Sequence, residues 1–256
     1  MMPILSSTIS DNSPNKIVRS GNLHDLKKLL ETGATIESSG TTGRPKKIFR
    51  NPQNLKVCNE VAIGAQELTR KSSVYTVTRL SHAGGLLAQS LPALSIDAGV
   101  EFDAFNPYSF FRKFSNHTHT FLPPDFMDAL TRTKSFENAD FGGRRILTGS
   151  SPVSLETIKK FVARNAVVQP NWGMSEIGPI VINDIFRTLE DVELVQKKCP
   201  KGMTYLGSSA YCDLNIVNDE LHVRGPTCIY DGWFATGDLV SKIDADYFFV
   251  SRMYSA

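Results

Sequence analysis

The 256-residue chain has 41% hydrophobic and 21% charged residues and a formal net charge of +2, enough apolar content for a substantial core. That balance excludes a dedicated nucleic-acid binder and a polybasic membrane protein. Cys58, Cys199, Cys212 and Cys228 show no C-x-x-C spacing, which points to a reducing, cytoplasmic setting; no apolar run is long enough to span a bilayer, and no signal-peptide pattern opens the chain.

Residues 1–21 are polar and irregular and are expected to lie on the surface. "NLHDLKKLLETG" reads as a helix capped by Asn22, with Leu23, Leu26, Leu29 and Leu30 on one face and Gly33 ending it. A loop rich in Ser, Thr and Gly follows. Then Leu55, Cys58, Val61, Ala62, Ala65 and Leu68 fall on one helical stripe. "SVYTVT" (73–78) is a strand by its β-branched content. "GGLLAQSLPALSI" is helical in pattern, with Pro92 expected to kink or interrupt it.

"HTHTFL" and "PDFMDALTR" form a strand followed by a helix with proline at its start. "RRILTG" with "SLETIKKFVARN" repeats the unit, and "AVVQP" adds another strand. The alternation predicts an α/β fold with a largely parallel sheet flanked by helices over residues 1–200. From 201 to 256 the texture becomes an antiparallel, β-rich subdomain. "CDLNIVNDELHVRG" is a hairpin turning at Asn218 and Asp219, and "DLVSKIDADYFFVSR" a second one turning around Asp244 to Asp246.

Three stretches carry chemistry. In "IESSGTTGRPKKIFRNP" (36–52), glycines allow successive backbone N–H groups to form a concave anion nest, Ser38, Ser39, Thr41 and Thr42 add hydroxyl donors, and Lys46 adds a cation. Gly40 and Gly43 are two residues apart, so this is not a Walker A loop. The plain alternative is a solvated turn between two strands. In "NWGMSEIGP" (171–179), Trp172 can stack on a flat base, Gly173 permits close approach, Ser175 can donate to a phosphate, and Glu176 can hold magnesium; alone, the stretch is an ordinary strand-to-loop transition. In "GWFATGDLV" (232–240), Asp238 can accept hydrogen bonds from both hydroxyls of a ribose; alone, it is a capped turn.

In this order the three stretches resemble the adenylate-forming superfamily of acyl-CoA synthetases, peptide-synthetase adenylation domains and luciferases. The resemblance covers most of the chain from residue 36 onward. "SHAGGLLAQSLPAL", "HTHTFLPPDFMDAL", "RRILTGSSPVS", "DELHVRGP" and "FFVSRMYSA" each resemble a family segment. Short synthetases of the o-succinylbenzoate type are the nearest in texture.

The resemblance implies roles for individual residues. Ser39, Gly40, Thr41, Thr42, Gly43 and Lys46 would cradle the β- and γ-phosphates of ATP. Gly149, Ser150, Ser151, Asn171 and Trp172 would frame adenine. Ser175 would touch the α-phosphate and Glu176 would hold Mg2+, with Lys46, Ser175 and Glu176 as the catalytic set. Asp238 and Arg252 would hold the ribose, and His82 and Gly173 would line the acid pocket. His117 and His119 read as structural.

The implied reaction joins a carboxylic acid to ATP, giving acyl-adenylate and pyrophosphate, with CoA as a possible acceptor. Ser251 stands where the family has a hinge glycine, and the chain ends at Ala256. The expectation is therefore a core without the mobile C-terminal lid: either a partner supplies the lid in trans, or the chain is a fragment, or it binds nucleotide and acid with little turnover. The competing reading is an impaired relative that binds AMP or an acid as a sensor or interaction module. Retention of Thr41, Thr42, Lys46, Glu176 and Asp238 weighs against it.

Overall fold

The computed structural model describes residues 20–37 and 46–253, with side chains from residue 25 onward. The calls on Leu23 and on Ser38, Ser39, Gly40, Thr41, Thr42 and Gly43 therefore lie outside the described side chains or residues. So do those on residues 1–19 and the last three.

In chain order the elements are α1 (Ser20–Thr32), β1 (Ala34–Glu37), β2 (Lys47–Arg50), α2 (Pro52–Gln66), β3 (Ser73–Thr76), α3 (Ala83–Gly85), a π-helical turn (Leu86–Ser90) and α4 (Leu91–Ser95). Next come β4 (Gly99–Phe102), α5 (Phe110–Phe114), β5 (His119–Phe121), α6 (Pro124–Thr131), α7 (Lys134–Glu137), β6 (Arg145–Thr148) and α8 (Leu155–Val162). The remainder are β7 (Val167–Met174), β8 (Gly178–Asn183), α9 (Leu189–Lys198), β9 (Thr204–Gly207), β10 (Ser209–Ala210), β11 (Asp213–Val217), β12 (Glu220–Arg224), β13 (Phe234–Ile243) and β14 (Asp246–Arg252).

A seven-stranded sheet has the order β10-β8-β7-β6-β5-β3-β4. Strands β4, β3, β5, β6 and β7 run parallel, while β8 and β10 are antiparallel additions at one edge. A five-stranded antiparallel sheet has the order β11-β12-β13-β14-β9, and β1 and β2 form a separate hairpin. The α/β character, the parallel centre and the antiparallel C-terminal region follow the sequence reading.

Adjacent side chains on the parallel strands go to opposite faces, as the two-residue period of a strand requires. Tyr75, Leu122 and Ile146 enter a large aromatic-rich cluster with Phe110, Phe136 and Phe161 from the helices. Their neighbours Phe121 and Leu147 enter a cluster with Ala62 and Ala65 of α2 on the other face, and Val74 one with Ala93 of α4 and Ala98. The sheet is therefore covered on both sides, which is why these strands read as nearly continuous apolar runs. Among the described residues, no helix is long and apolar enough to cross a membrane.

Three local findings refine the reading. α1 already runs at Ser20, so Asn22 lies inside the helix rather than capping it. Pro92 does not interrupt the helical run. It cannot donate to the carbonyl four residues back, and the chain widens into the π turn just before it. The Ala88 carbonyl freed in this way accepts from Gln66 Nε2 at 2.7 Å. Finally, β7 extends through Asn171, Trp172, Gly173 and Met174 and turns back into β8, so "NWGMSEIGP" is a hairpin rather than a loop.

Both C-terminal hairpins stand as read. Asn218 and Asp219 adopt φ of 51° and 67°, the left-handed pair that a tight two-residue turn requires. Past residue 200 the chain serves both sheets. β9 completes the five-stranded sheet, and β10 returns to the edge of the seven-stranded one.

Candidate functional site

β6 and β7 are parallel neighbours, so their C-terminal ends share one edge of the sheet, the usual place for a ligand in an open α/β fold. A cavity of about 470 Å³ opens there. Ser150 and Ser151 line it from the turn after β6, and Asn171, Trp172 and Gly173 from β7. Asp238, Ser251 and Arg252 close it from β13 and β14, with Tyr205, Leu206 and Phe249 adding an apolar wall. Seven of the residues singled out in the sequence meet here: Ser150, Ser151, Asn171, Trp172, Gly173, Asp238 and Arg252.

The turn after β6 is tight. A side chain on Gly149 would begin 2.5 Å from the Asn171 carbonyl, so only glycine lets β6 end this close to β7. Ser150 then takes φ of 74°, a left-handed conformation costly for a residue with a side chain. Asn171 donates through Nδ2 to the Pro179 carbonyl at 2.6 Å, while its Oδ1 is buried without a hydrogen-bond partner. Gly173 is held by packing: its missing Cβ would lie 2.3 Å from the Gly178 carbonyl oxygen across the hairpin.

Asp238 is the electrostatic centre. It shares the inward face of β13 with Thr236 and Val240 and is directly opposite Arg252 in the β13–β14 register. Trp172 Nε1 donates to Asp238 Oδ2 at 2.9 Å, and the Arg252 guanidinium stands 3.3 Å from Oδ1. That Oδ1 is buried and receives no hydrogen bond. Burial raises the carboxyl pKa above its ordinary value, and the indole N–H and Arg252 pull in the opposite direction. A buried acceptor lacking a donor and facing a cation suits a ligand hydroxyl.

Ser175 and Glu176 occupy the β7–β8 turn, outside the cavity lining. Ser175 is buried and Glu176 half-buried. The backbone carbonyl of Glu176 accepts from Ile229 N at 3.0 Å. Lys46 is exposed just before β2, at the loop end of the β1–β2 hairpin, where Glu37 pairs with Lys47. The Ser/Thr/Gly run thus joins two paired strands. His82 also lies outside the cavity lining: it caps α3, Nδ1 accepting from Gly84 N at 3.1 Å, and burial lowers its pKa. Nearby, Ser81 O accepts from Glu37 N, placing this segment beside the end of β1.

Sequence reasoning missed Arg50, a fully buried guanidinium inside β2. Its signal was available: in Lys-Ile-Phe-Arg, Arg50 shares the inward face with Ile48. It also missed Tyr205, Leu206 and Phe249, apolar residues from separate strands without local pattern.

The family described as "AMP-binding enzyme" matches residues 35–228. An indoleacetate–CoA ligase of Aromatoleum aromaticum is 28% identical over 244 residues, covering 83% of this chain and 46% of the relative. The chain thus spans about half the length of the curated relatives it matches. Among solved structures, ATP-bound MatB from Rhodopseudomonas palustris aligns with TM-score 0.67 at 18% identity, over 86% of this chain and 48% of that one. The inhibitor-bound N-terminal domain of FACL13 from Mycobacterium tuberculosis aligns with TM-score 0.71 at 17% identity, over 87% and 62%. A family match over most of the chain, with the fold shared by these structures, makes the protein a member of the AMP-binding enzyme family.

Proposed function

We propose that the chain binds ATP and a carboxylic acid and supports adenylate formation, the thioester to CoA being a second step of the complete enzyme. The observation that carries this reading is Asp238, held by Trp172 and facing Arg252, in the wall of the cavity. In it the ribose hydroxyls go to Asp238 and Arg252. Adenine lies against Trp172 between Gly149, Ser150, Ser151 and Asn171, whose unpartnered Oδ1 suits an exocyclic amine. His82 and Gly173 border the acid.

In the reaction a carboxylate oxygen attacks the α-phosphorus in line; the bond to the bridging oxygen breaks and pyrophosphate leaves with its electron pair. The protein's work is positioning and charge neutralisation. Lys46 and the loop Ser39, Gly40, Thr41, Thr42 and Gly43 would neutralise the leaving β- and γ-phosphates, and Ser175 would donate to the α-phosphate. Among the described residues no group of three or more His, Cys, Asp or Glu is placed to share a metal. The one carboxylate on the turn, Glu176, fits Mg2+, which keeps several waters and needs few protein oxygens. When bound, that ion supplies charge neutralisation across the phosphates.

We place residues 1–200 as the ATP- and acid-binding core and 201–256 as the β-rich subdomain, with a lid domain as the partner that completes the site. Four free cysteines support a cytoplasmic setting. Calorimetry on the 256-residue chain tests the site. AMP should bind, and Asp238→Ala should weaken it by about 1.5–3 kcal/mol for a lost charged hydrogen bond. Equal affinity in the variant removes the ribose from Asp238.

A further inference from the structure

Arg50 is 0% exposed. Its Nε and Nη2 both donate to the Ser175 carbonyl, at 3.2 and 2.7 Å. Nη1 donates to the Thr227 carbonyl at 2.8 Å, to Cys58 Sγ at 3.3 Å and to the Asn54 side chain. None of these acceptors is a carboxylate. A buried charge satisfied by neutral acceptors alone is an expensive way to fill space, since an apolar side chain of similar volume avoids the desolvation. Desolvation indeed lowers the guanidinium pKa. Of the groups that oppose this, Cys58, Cys228 and Glu176, only the last is a carboxylate.

What the arrangement achieves is geometric. Two donors of one planar fork on a single carbonyl fix both the position and the rotation of the peptide between Ser175 and Glu176. The third donor grips Thr227, whose Oγ1 in turn donates to the Ile177 carbonyl at 2.7 Å. Ile229 N holds the Glu176 carbonyl from the same loop. The turn bearing Ser175 and Glu176 is thus held from β2 on one side and from residues 227–229 on the other. Arg50 lies four residues along the chain from Lys46, about 13 Å in extended backbone. One side chain therefore sets the distance between the exit of the Ser/Thr/Gly loop and the Ser-Glu turn.

We propose that Arg50, braced by Thr227, is a positioning residue that spaces Lys46 from Glu176 for a magnesium-bound triphosphate. This rests on the nucleotide reading above. It assigns Arg50 to the phosphate half of the site and not to the nucleoside half, where Trp172, Asp238 and Arg252 act. Lysine cannot substitute, because one ammonium lacks the fork.

The test compares AMP and ATP affinities by calorimetry, with and without Mg2+, for wild type, Arg50→Lys and Thr227→Val, each checked by thermal melting. Arg50→Lys should bind AMP within about twofold of wild type, yet bind Mg·ATP at least about tenfold more weakly and lose the magnesium enhancement, as expected when a bidentate donor is removed. Thr227→Val leaves the arginine in place and keeps the volume. It should show the same selective loss at about threefold, the scale of one neutral hydrogen bond, and it decides the matter if Arg50→Lys fails to fold. Equal weakening of AMP and ATP would make Arg50 a general scaffold residue, and unchanged Mg·ATP affinity would leave it without the role; either overturns the inference alone. A wild-type chain that binds neither nucleotide removes the reading of the site itself, and this inference with it.

Discussion

Asp238 illustrates how one residue can be tuned by opposing neighbours. Burial favours its neutral form, while the Trp172 N–H and Arg252 favour the carboxylate. Trp172→Phe keeps an aromatic face, smaller than the indole, and deletes the donor. The carboxyl pKa should then rise further, and AMP affinity should begin to fall at a higher pH than in wild type as the solution is acidified. Titration of AMP binding against pH in both proteins checks this; superimposable profiles would mean that the indole N–H does not stabilise the carboxylate. The linkage sign for folding is the reverse of that for binding. A carboxyl with a raised pKa holds more protons in the folded than in the unfolded chain, so its contribution to stability diminishes as pH rises through that interval.

At the level of elements, the β7–β8 hairpin depends on Gly173. A methyl group there would meet the carbonyl oxygens of Gly178 and Pro179 at 2.3 and 2.6 Å, and backbone atoms cannot rotate aside. Gly173→Ala should cost about 1–3 kcal/mol, the range for overpacking, visible as a lower urea midpoint. A midpoint equal to wild type would show that the strands can part there at no cost. This hairpin also marks the limit of what the sequence disclosed. The parallel strands β3, β5, β6 and β7 were legible because β-branched, apolar runs have few alternatives, whereas the short β4 was not singled out, and the two C-terminal turns were legible at Asn218-Asp219 and near Asp244. Gly-Met-Ser-Glu-Ile-Gly-Pro reads as a loop because its pairing is decided by contacts across the turn. Arg50 was passed over because a charge is ordinarily solvated, and the carbonyls that accept it come from residues 175 and 227. Trp172, Asp238 and Arg252 were legible as individual residues; their shared cavity depends on two sheets meeting.

Across the whole molecule, buried histidines make the fold sensitive to acid. His119 lies in the all-buried strand β5, Nε2 donating to the Gln66 carbonyl at 3.0 Å and Nδ1 lying 2.7 Å from Thr118 Oγ1. Burial is the main cause of its pKa falling to about 4. Burial also lowers His82 and His117, the latter despite its contact with Glu101. For a base with a depressed folded pKa, the unfolded chain binds more protons between about 6.5 and 4. Stability is therefore lost as pH falls through that window, by up to about 3 kcal/mol for His119 alone. Urea melts at pH 7 and pH 5 should show the loss, and His119→Gln should reduce the difference between them. A variant with an unaltered difference would transfer the effect to the other histidines.

The link from β9 to β10 has a practical meaning for anyone taking this chain apart. Gly207 ends β9 with φ of 140°, and its missing Cβ would lie 2.3 Å from the Asn183 backbone, so the crossover passes against β8 with no slack. Two residues later the chain pairs with β8 itself, through Ser209 and Ala210. A split made at this link would leave each half with an unsatisfied strand edge belonging to the other, inviting aggregation before reassembly. An inserted tag would push against the tight contact of Gly207 with Asn183. The exposed turn at Asn218 and Asp219 carries no such burden, and it is the better place to open the chain.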